Sequence, residues 1–173
     1  MLEQNNKKKP KKYAGILAHP TSFPSPYGIG DLGPGAYQFI DFLAASGLNL
    51  WQVLPLGHTG FGDSPYQPFS AFAGQPLIID IDYLRKKKLL LDEDFADMPA
   101  WDPEKIEYGT LIEFKTSLLK KAYERFVDPD YTDELSSDKE LMERFDTFVK
   151  NTSWLADYSL FMAGKDAHEG MPW

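Results

Sequence analysis

Residues 34–56, PGAYQFIDFLAASGLNLWQVLPL, decide the fold, because they read as a helix, a turn and a strand. Pro34 stands where a helix begins, and its missing N–H is no loss at a first helical position. Ala36, Phe39, Ile40, Leu43 and Ala44 recur at the spacing of one helical face. Gly47 follows where a helix commonly ends on a left-handed residue. Residues 48–56 then carry apolar side chains on both faces, the pattern of a strand buried in a parallel sheet. Upstream, residues 14–18 form a short apolar run that ends at His19-Pro20 and reads as a buried strand. Strand, helix and strand in this order make a βαβ unit, and the fold class is α/β.

From the end of the second strand hangs GHTGFGDSPYQPFSAFAG, residues 57–74. In barrels and open α/β sheets alike, ligands bind at this C-terminal end of the strands. Pro65 and Pro68 fix their own φ and push Ser64 and Gln67 towards extended backbone, which stiffens the SPYQ turn. A long loop rich in aromatic and polar groups, held stiff on a scaffold, suggests recognition of a ligand. Tyr66 either packs on its own scaffold or offers a ligand an apolar ring face and a hydroxyl.

Other motifs are weaker. Gly28, Gly30 and Gly33 spell G-x-G-x-x-G before a helix, but residues 19–27 separate them from the strand that a dinucleotide loop would follow directly. The second strand also ends in Pro55-Leu56, without the acidic residue that would hold a ribose. Trp51, Phe69 and Phe72 read as core. Another short apolar run, 78–81, reads as a strand; Asp80 within it and Asp82 just after it are alternate residues that share a face without being marked as acid and nucleophile. His19, His58 and His168 show no spacing for a metal.

Beyond residue 75 the character changes. A charged stretch and an irregular acidic segment lead to Tyr108, after which the pattern is helical. Thr110 and Glu113 form a possible capping box for a helix with the stripe Leu111, Phe114, Leu118 and Ala122. Ser137 and Glu140 form another, leading into Leu141, Phe145 and Phe148, and a last helix runs from about Ser153 to His168 with Gly170 and Pro172 as stops.

The 173 residues carry a net charge of −8, yet residues 1–12 hold five Lys and one Glu, so the remainder is more acidic than the whole. An acidic body argues against nucleic acid and anionic membranes as partners, and suits a neutral ligand such as a sugar. The KKKPKK tract, in residues 1–12, reads as a disordered, solvated tail. The absence of Cys fits a reducing cytoplasm. No apolar run approaches the roughly 20 residues of a membrane span, and no signal-peptide core precedes the first strand.

AGILAHPTSFPSPYGIGDLG (14–33), WQVLPLGHTGFGDSPYQPFSAFAGQPLIID (51–80) and the segment ending KDAHEGMPW (165–173) resemble the amylomaltases, the 4-α-glucanotransferases of the glycoside hydrolase 77 type. The resemblance spans residues 13–173 and covers the N-terminal third of such enzymes. It implies a (β/α)8 TIM barrel, here incomplete. Residues 13–75 would supply its first βαβ unit with the substrate loop 57–74, and residues 76–173 a mostly helical insertion subdomain. The implied reaction moves a segment of a 1,4-α-glucan to the 4-hydroxyl of an acceptor glucan or glucose. It proceeds by retaining double displacement, with one carboxylate as nucleophile and another as general acid/base. In the family these carboxylates lie in motifs beyond Trp173, so no catalytic residue is assigned here and the isolated chain is expected to be inactive.

By the same resemblance Tyr66 lines the donor sugar site and Ser64 contacts the glucan. Asp63 either holds a sugar hydroxyl or caps its own turn. Phe61 falls where some relatives have a Tyr implicated in a second glucan site, and it lacks that hydroxyl. Maltooligosaccharides and the remainder of its own barrel are the expected partners, with no cofactor and no metal. The rival readings are a non-catalytic binding module for starch or glycogen, and a helical interaction protein using residues 110–168.

Overall fold

The computed structural model describes residues 12–134, 139–168 and 170. Strands β1 (Gly15–Leu17) and β2 (Leu50–Gln52) pair in parallel, with Gly15 beside Leu50, Ile16 beside Trp51 and Leu17 beside Gln52. Helix α1 (Pro34–Ala45) connects them. The strands are shorter than their apolar runs because ladder bonds need a partner on each side. The last such contact is Ala18 N donating to Gln52 O at 3.1 Å. Beyond it His19 enters a 3-10 turn at Pro20–Ser22, and Pro55 has no N–H to offer.

Paired residues share a face, and the two faces of this sheet differ. Ile16 and Trp51 point towards α1, where the Trp51 ring meets Phe39 at 5.4 Å and Phe23 at 5.8 Å. The Trp51 indole Nε1 donates to Ala18 O at 2.7 Å. On the opposite face Leu17 and Leu50 stay 57% and 52% exposed. Gly15 lies on that side too, and a Cβ there would stand 2.2 Å from Leu50 O, so only glycine lets the strands approach.

Helix α1 begins at Pro34 and closes at Gly47, whose φ of 69° is the left-handed conformation that suits glycine. Of its expected stripe, Ala36 and Leu43 are buried and Phe39 half-buried, but Ile40 and Ala44 meet solvent. The stripe is wider than the surface available to cover it.

The core sits around α3 (Tyr108–Val127), whose Leu111, Leu118 and Ala122 are buried. Leu118 and Ala122 cluster with Tyr27, Ile81, Leu89 and Leu90; Leu111 joins Ile29 and Leu77. The expected capping box does not form. The helix starts at Tyr108, where Leu111 N already bonds Glu107 O at 2.9 Å, so Thr110 lies inside the first turn.

Residues 78–81 are no strand either. Ile78 ends a 3-10 turn, and Asp80 caps α2 (Ile81–Lys86) by accepting from Tyr83 N at 3.1 Å. An Asp ahead of a short helix satisfies an orphan N–H that no neighbouring strand competes for. Asp82 stands in the first turn and accepts the Tyr27 hydroxyl at 2.5 Å.

Helices α4 (Pro129–Glu134), α5 (Lys139–Asn151) and α6 (Leu155–Ala167) complete the described elements. Ser137, the expected cap of α5, lies outside the described residues, as does Pro172. Phe145 of α5 packs edge-on to Phe126 at 5.1 Å, while Phe148 remains 48% exposed.

Candidate functional site

The 57–74 loop is a closed excursion. Gly57 bridges Gly74 and Thr59 bridges Pro68 in antiparallel fashion. Gln75 N donates to Leu56 O at 2.7 Å, Phe69 N to His58 O at 3.0 Å and Gly60 N to Gln67 O at 3.3 Å. The Gln75 side chain adds Nε2–H to Thr59 Oγ1 at 2.8 Å. Backbone groups of an irregular loop need such partners when no sheet supplies them.

Within this frame Asp63 ends a 3-10 turn at a φ of 51°, a left-handed conformation that Asp tolerates better than most residues. Ser64 Oγ accepts from Tyr66 N at 3.3 Å and so holds the SPY turn. The Tyr66 ring is 70% exposed. Ser64 and Tyr66 are therefore joined directly. Asp63 instead lines a cavity of about 200 Å³ at the C-terminal ends of β1 and β2, with His19, Thr21, Leu54, Gln75 and Tyr108. It also borders a larger cleft, about 1170 Å³, between the loop, α3 and α6. Tyr66 lines neither. The side chain of Phe61 lies outside the described residues.

The loop leans on α6. His58 Nδ1 is 2.8 Å from the Tyr158 hydroxyl, and Phe69 meets Phe161 edge-on at 5.8 Å. Burial lowers the His58 pKa, with Asp166 opposing. Phe72, expected in the core, is 72% exposed, its ring lying against Trp154. Trp51 is partly covered by Phe23 and Phe39, but Phe69, expected in the core, is 38% exposed against His58 and Phe161 at the surface of the loop.

His19 Nδ1 is 2.8 Å from Thr21 Oγ1, while its Nε2 is sealed from solvent. Burial lowers its pKa, with the Pro55 backbone opposing. Among the described residues no group of three His, Asp or Glu side chains is placed to hold a metal ion. Nor is any described helix long and apolar enough to cross a membrane.

The G-x-G-x-x-G segment is used for packing. The N-terminus of α1, where a phosphate would sit, is filled by carboxylates. Asp31 Oδ1 accepts from Gly33 N at 2.9 Å, and a Cβ on Gly33 would lie 2.8 Å from Asp80 Cγ. A Cβ on Gly28 would strike the Trp101 ring at 2.6 Å.

One charged residue escaped the sequence reading. Lys115 is fully buried in α3, and its Nζ donates to Leu77 O at 2.7 Å and Ile79 O at 3.4 Å. Burial lowers its pKa to about 8, with Asp31 and Asp80 opposing. The signal was present in the sequence, since Lys115 stands four residues after Leu111 and three before Leu118, within the apolar stripe.

A parallel βαβ start whose second strand opens into a pinned, aromatic-rich loop defines the beginning of an α/β fold. The chain belongs to the 4-alpha-glucanotransferase family, whose sequence model matches residues 18–173. The 4-alpha-glucanotransferase of Synechocystis sp. is 45% identical over 164 residues, which is 94% of this chain and 31% of that protein. That of Thermus thermophilus is 45% identical over 160 residues, covering 92% of this chain and 30% of the relative. In three dimensions the chain is similar to an amylomaltase from Streptococcus agalactiae in complex with acarbose, with a TM-score of 0.77 at 36% identity. That match covers 93% of this chain and 31% of the amylomaltase. The chain thus spans less than a third of the relatives it matches.

Proposed function

We propose that this chain is the N-terminal part of a (β/α)8-barrel 4-α-glucanotransferase and supplies a glucan-gripping loop to it. Residues 13–75 begin the barrel and 76–173 form a helical insertion. The reading rests above all on Tyr66, 70% exposed on a loop whose neck is bonded on both sides. A ring held out on a stiff support receives the C–H face of a sugar at little ordering cost. Ser64 Oγ accepts from Tyr66 N, which leaves its O–H to donate to a sugar oxygen. The Asp63 carboxylate can accept from sugar hydroxyls at the rim of the cavity beside the strand ends.

The exposed face of Leu17 and Leu50 favours a barrel over a self-contained binding module, because a barrel interior would bury it. In the proposed reaction the carboxylate nucleophile displaces the reducing-side glucan, whose oxygen is protonated by the general acid. The same acid, now acting as base, then takes the proton of an acceptor's 4-hydroxyl. That oxygen attacks the anomeric carbon, breaks the bond to the nucleophile and returns the same configuration. The carboxylate pair would come from the rest of the barrel; this chain binds. A partner of this kind must favour an acceptor sugar over water, which gives the gripping residues as much weight as the acids.

Steady-state kinetics on maltotriose in the full-length enzyme test the assignment. Tyr66→Phe removes the hydroxyl alone and is expected to cost about 0.5–1.5 kcal/mol of transition-state stabilisation. Tyr66→Ala also removes the ring and should cost clearly more. Two equal and negligible effects would discard the role.

A further inference from the structure

We propose that Lys115 is a positioning residue for the 57–74 loop, acting through the 75–79 segment; this rests on the glucan-binding reading of that loop. The segment is a junction. On one side Gln75 carries the loop neck, with its N–H on Leu56 O at 2.7 Å and its Nε2 on Thr59 Oγ1 at 2.8 Å. On the other, Lys115 Nζ reaches Leu77 O at 2.7 Å and Ile79 O at 3.4 Å from within α3. Between them Leu77 and Ile78 are buried, and Ile78 O accepts from Leu32 N at 3.0 Å. One ammonium therefore ties the turn that closes the loop to the central helix.

A buried lysine is a costly way to hold a turn. Its side chain has no exposed surface, and its hydrogen bonds go to two backbone carbonyls, with Asp31 and Asp80 acting through space. An apolar residue at this point of the stripe would pack without that cost, as replacements of buried charges by apolar side chains often do. What only a cation supplies is a charge-assisted bond to two carbonyls at once, one in the 3-10 turn at Pro76–Ile78 and one directly after it. The turn is thereby held in one position along α3, and the loop neck with it.

The placement predicts a selective effect. Without the ammonium, Leu77 O and Ile79 O lose their shared donor while the apolar contacts of Leu111 and Leu118 persist. The junction should then loosen, and the neck with it, before α3 does.

The test is Lys115→Met beside Tyr66→Ala in the full-length enzyme, read by maltotriose kinetics and residue-resolved amide exchange. For Lys115→Met we expect KM to rise about tenfold with kcat within about threefold of the parent. Exchange at the Gln75 and Phe69 amides should rise by about tenfold or more while the interior of α3 keeps its protection. Unchanged exchange at the neck, or faster exchange throughout α3 to the same degree, overturns the proposal. If Tyr66→Ala alone leaves KM unchanged, the glucan reading of the loop fails and the proposal, which rests on it, falls with it. If Tyr66→Ala raises KM and Lys115→Met does not, the positioning role alone fails. Should Lys115→Met not fold, Lys115→Leu, which also removes the donor but is shorter, carries the same readouts. If neither folds, Lys115 is a general scaffold residue and the proposal is wrong.

Discussion

The rings of Phe72 and Trp154 lie 6.0 Å apart and 18° from parallel. The outer limb of the 57–74 loop is thereby stacked on the residue that precedes α6. Trp154 also meets Phe148 of α5 edge-on at 6.4 Å, so one indole joins loop, α5 and α6. Aromatic pairs of this kind contribute about 0.5–1.5 kcal/mol beyond their buried area. Trp154→Ala should loosen the loop by about that amount. Amide exchange at Phe72 and Ala73, whose N–H groups both donate to Ser70 Oγ at 3.1 Å, should accelerate while α3 stays protected. Unaltered exchange at these two amides would remove the stack from any account of the loop.

Acid should weaken the same clasp through His58. Burial against Tyr158 and Phe69 lowers the imidazole pKa, with the Asp166 charge opposing. A depressed pKa means that the docked loop binds fewer protons than the free one. Docking is therefore complete above the ordinary value of about 6.5 and weakens as pH falls below it, until the docked ring itself protonates. An NMR titration of the His58 ring is expected to give a pKa under the ordinary value, moving back towards it in Trp154→Ala. A pKa at or above that value would refute the burial argument.

Asp94 and Arg125 form a partly buried ion pair, joined by Lys121 at 3.4 Å from Asp94 Oδ1. Arg125 Nη1 donates to Asp94 Oδ2 at 2.5 Å and Nη2 to Oδ1 at 3.1 Å, with Leu91 N on Oδ2 at 2.8 Å. Arg125 holds the carboxyl pKa down to about 2. Asp94→Asn leaves the guanidinium half-buried without its charge and should cost about 3–5 kcal/mol. Because the folded pKa is the lower one, the stabilisation is present above about pH 4 and is lost as pH falls towards 2. Denaturant unfolding of parent and variant at pH 7 and pH 3 should show the gap narrowing. A gap that is small at pH 7 and constant with pH would contradict the pairing.

Local signals were read correctly where the cause is local. Pro34 starts α1 and Gly47 ends it because φ restrictions belong to the residues themselves. Leu111, Leu118 and Ala122 face the core because helical spacing puts them on one stripe. Reading 78–81 as a strand failed because so short a run carries no period, and the Asp80 side chain within it found a helix N–H to cap. The box at Thr110 and Glu113 failed for a related reason, as an earlier start at Tyr108 left Thr110 with no orphan donor.

By itself, then, the sequence determined the βαβ order, the position of the loop beyond β2 and the stretches that resemble glucanotransferases, all of which reside in spacing and backbone restriction. Only the tertiary structure decided what that loop leans on and what holds it. His58 finds Tyr158 across 100 positions and Lys115 finds Leu77 across 38. It also decided that Phe72 faces solvent while a lysine is buried. Hydropathy assigns each side chain a preference for water or core, but the surface that reaches it depends on which distant elements meet. Lys115 is buried because two carbonyls meet its charge, and Phe72 stays exposed with Trp154 stacked on it, so distant contacts overrode hydropathy in both cases.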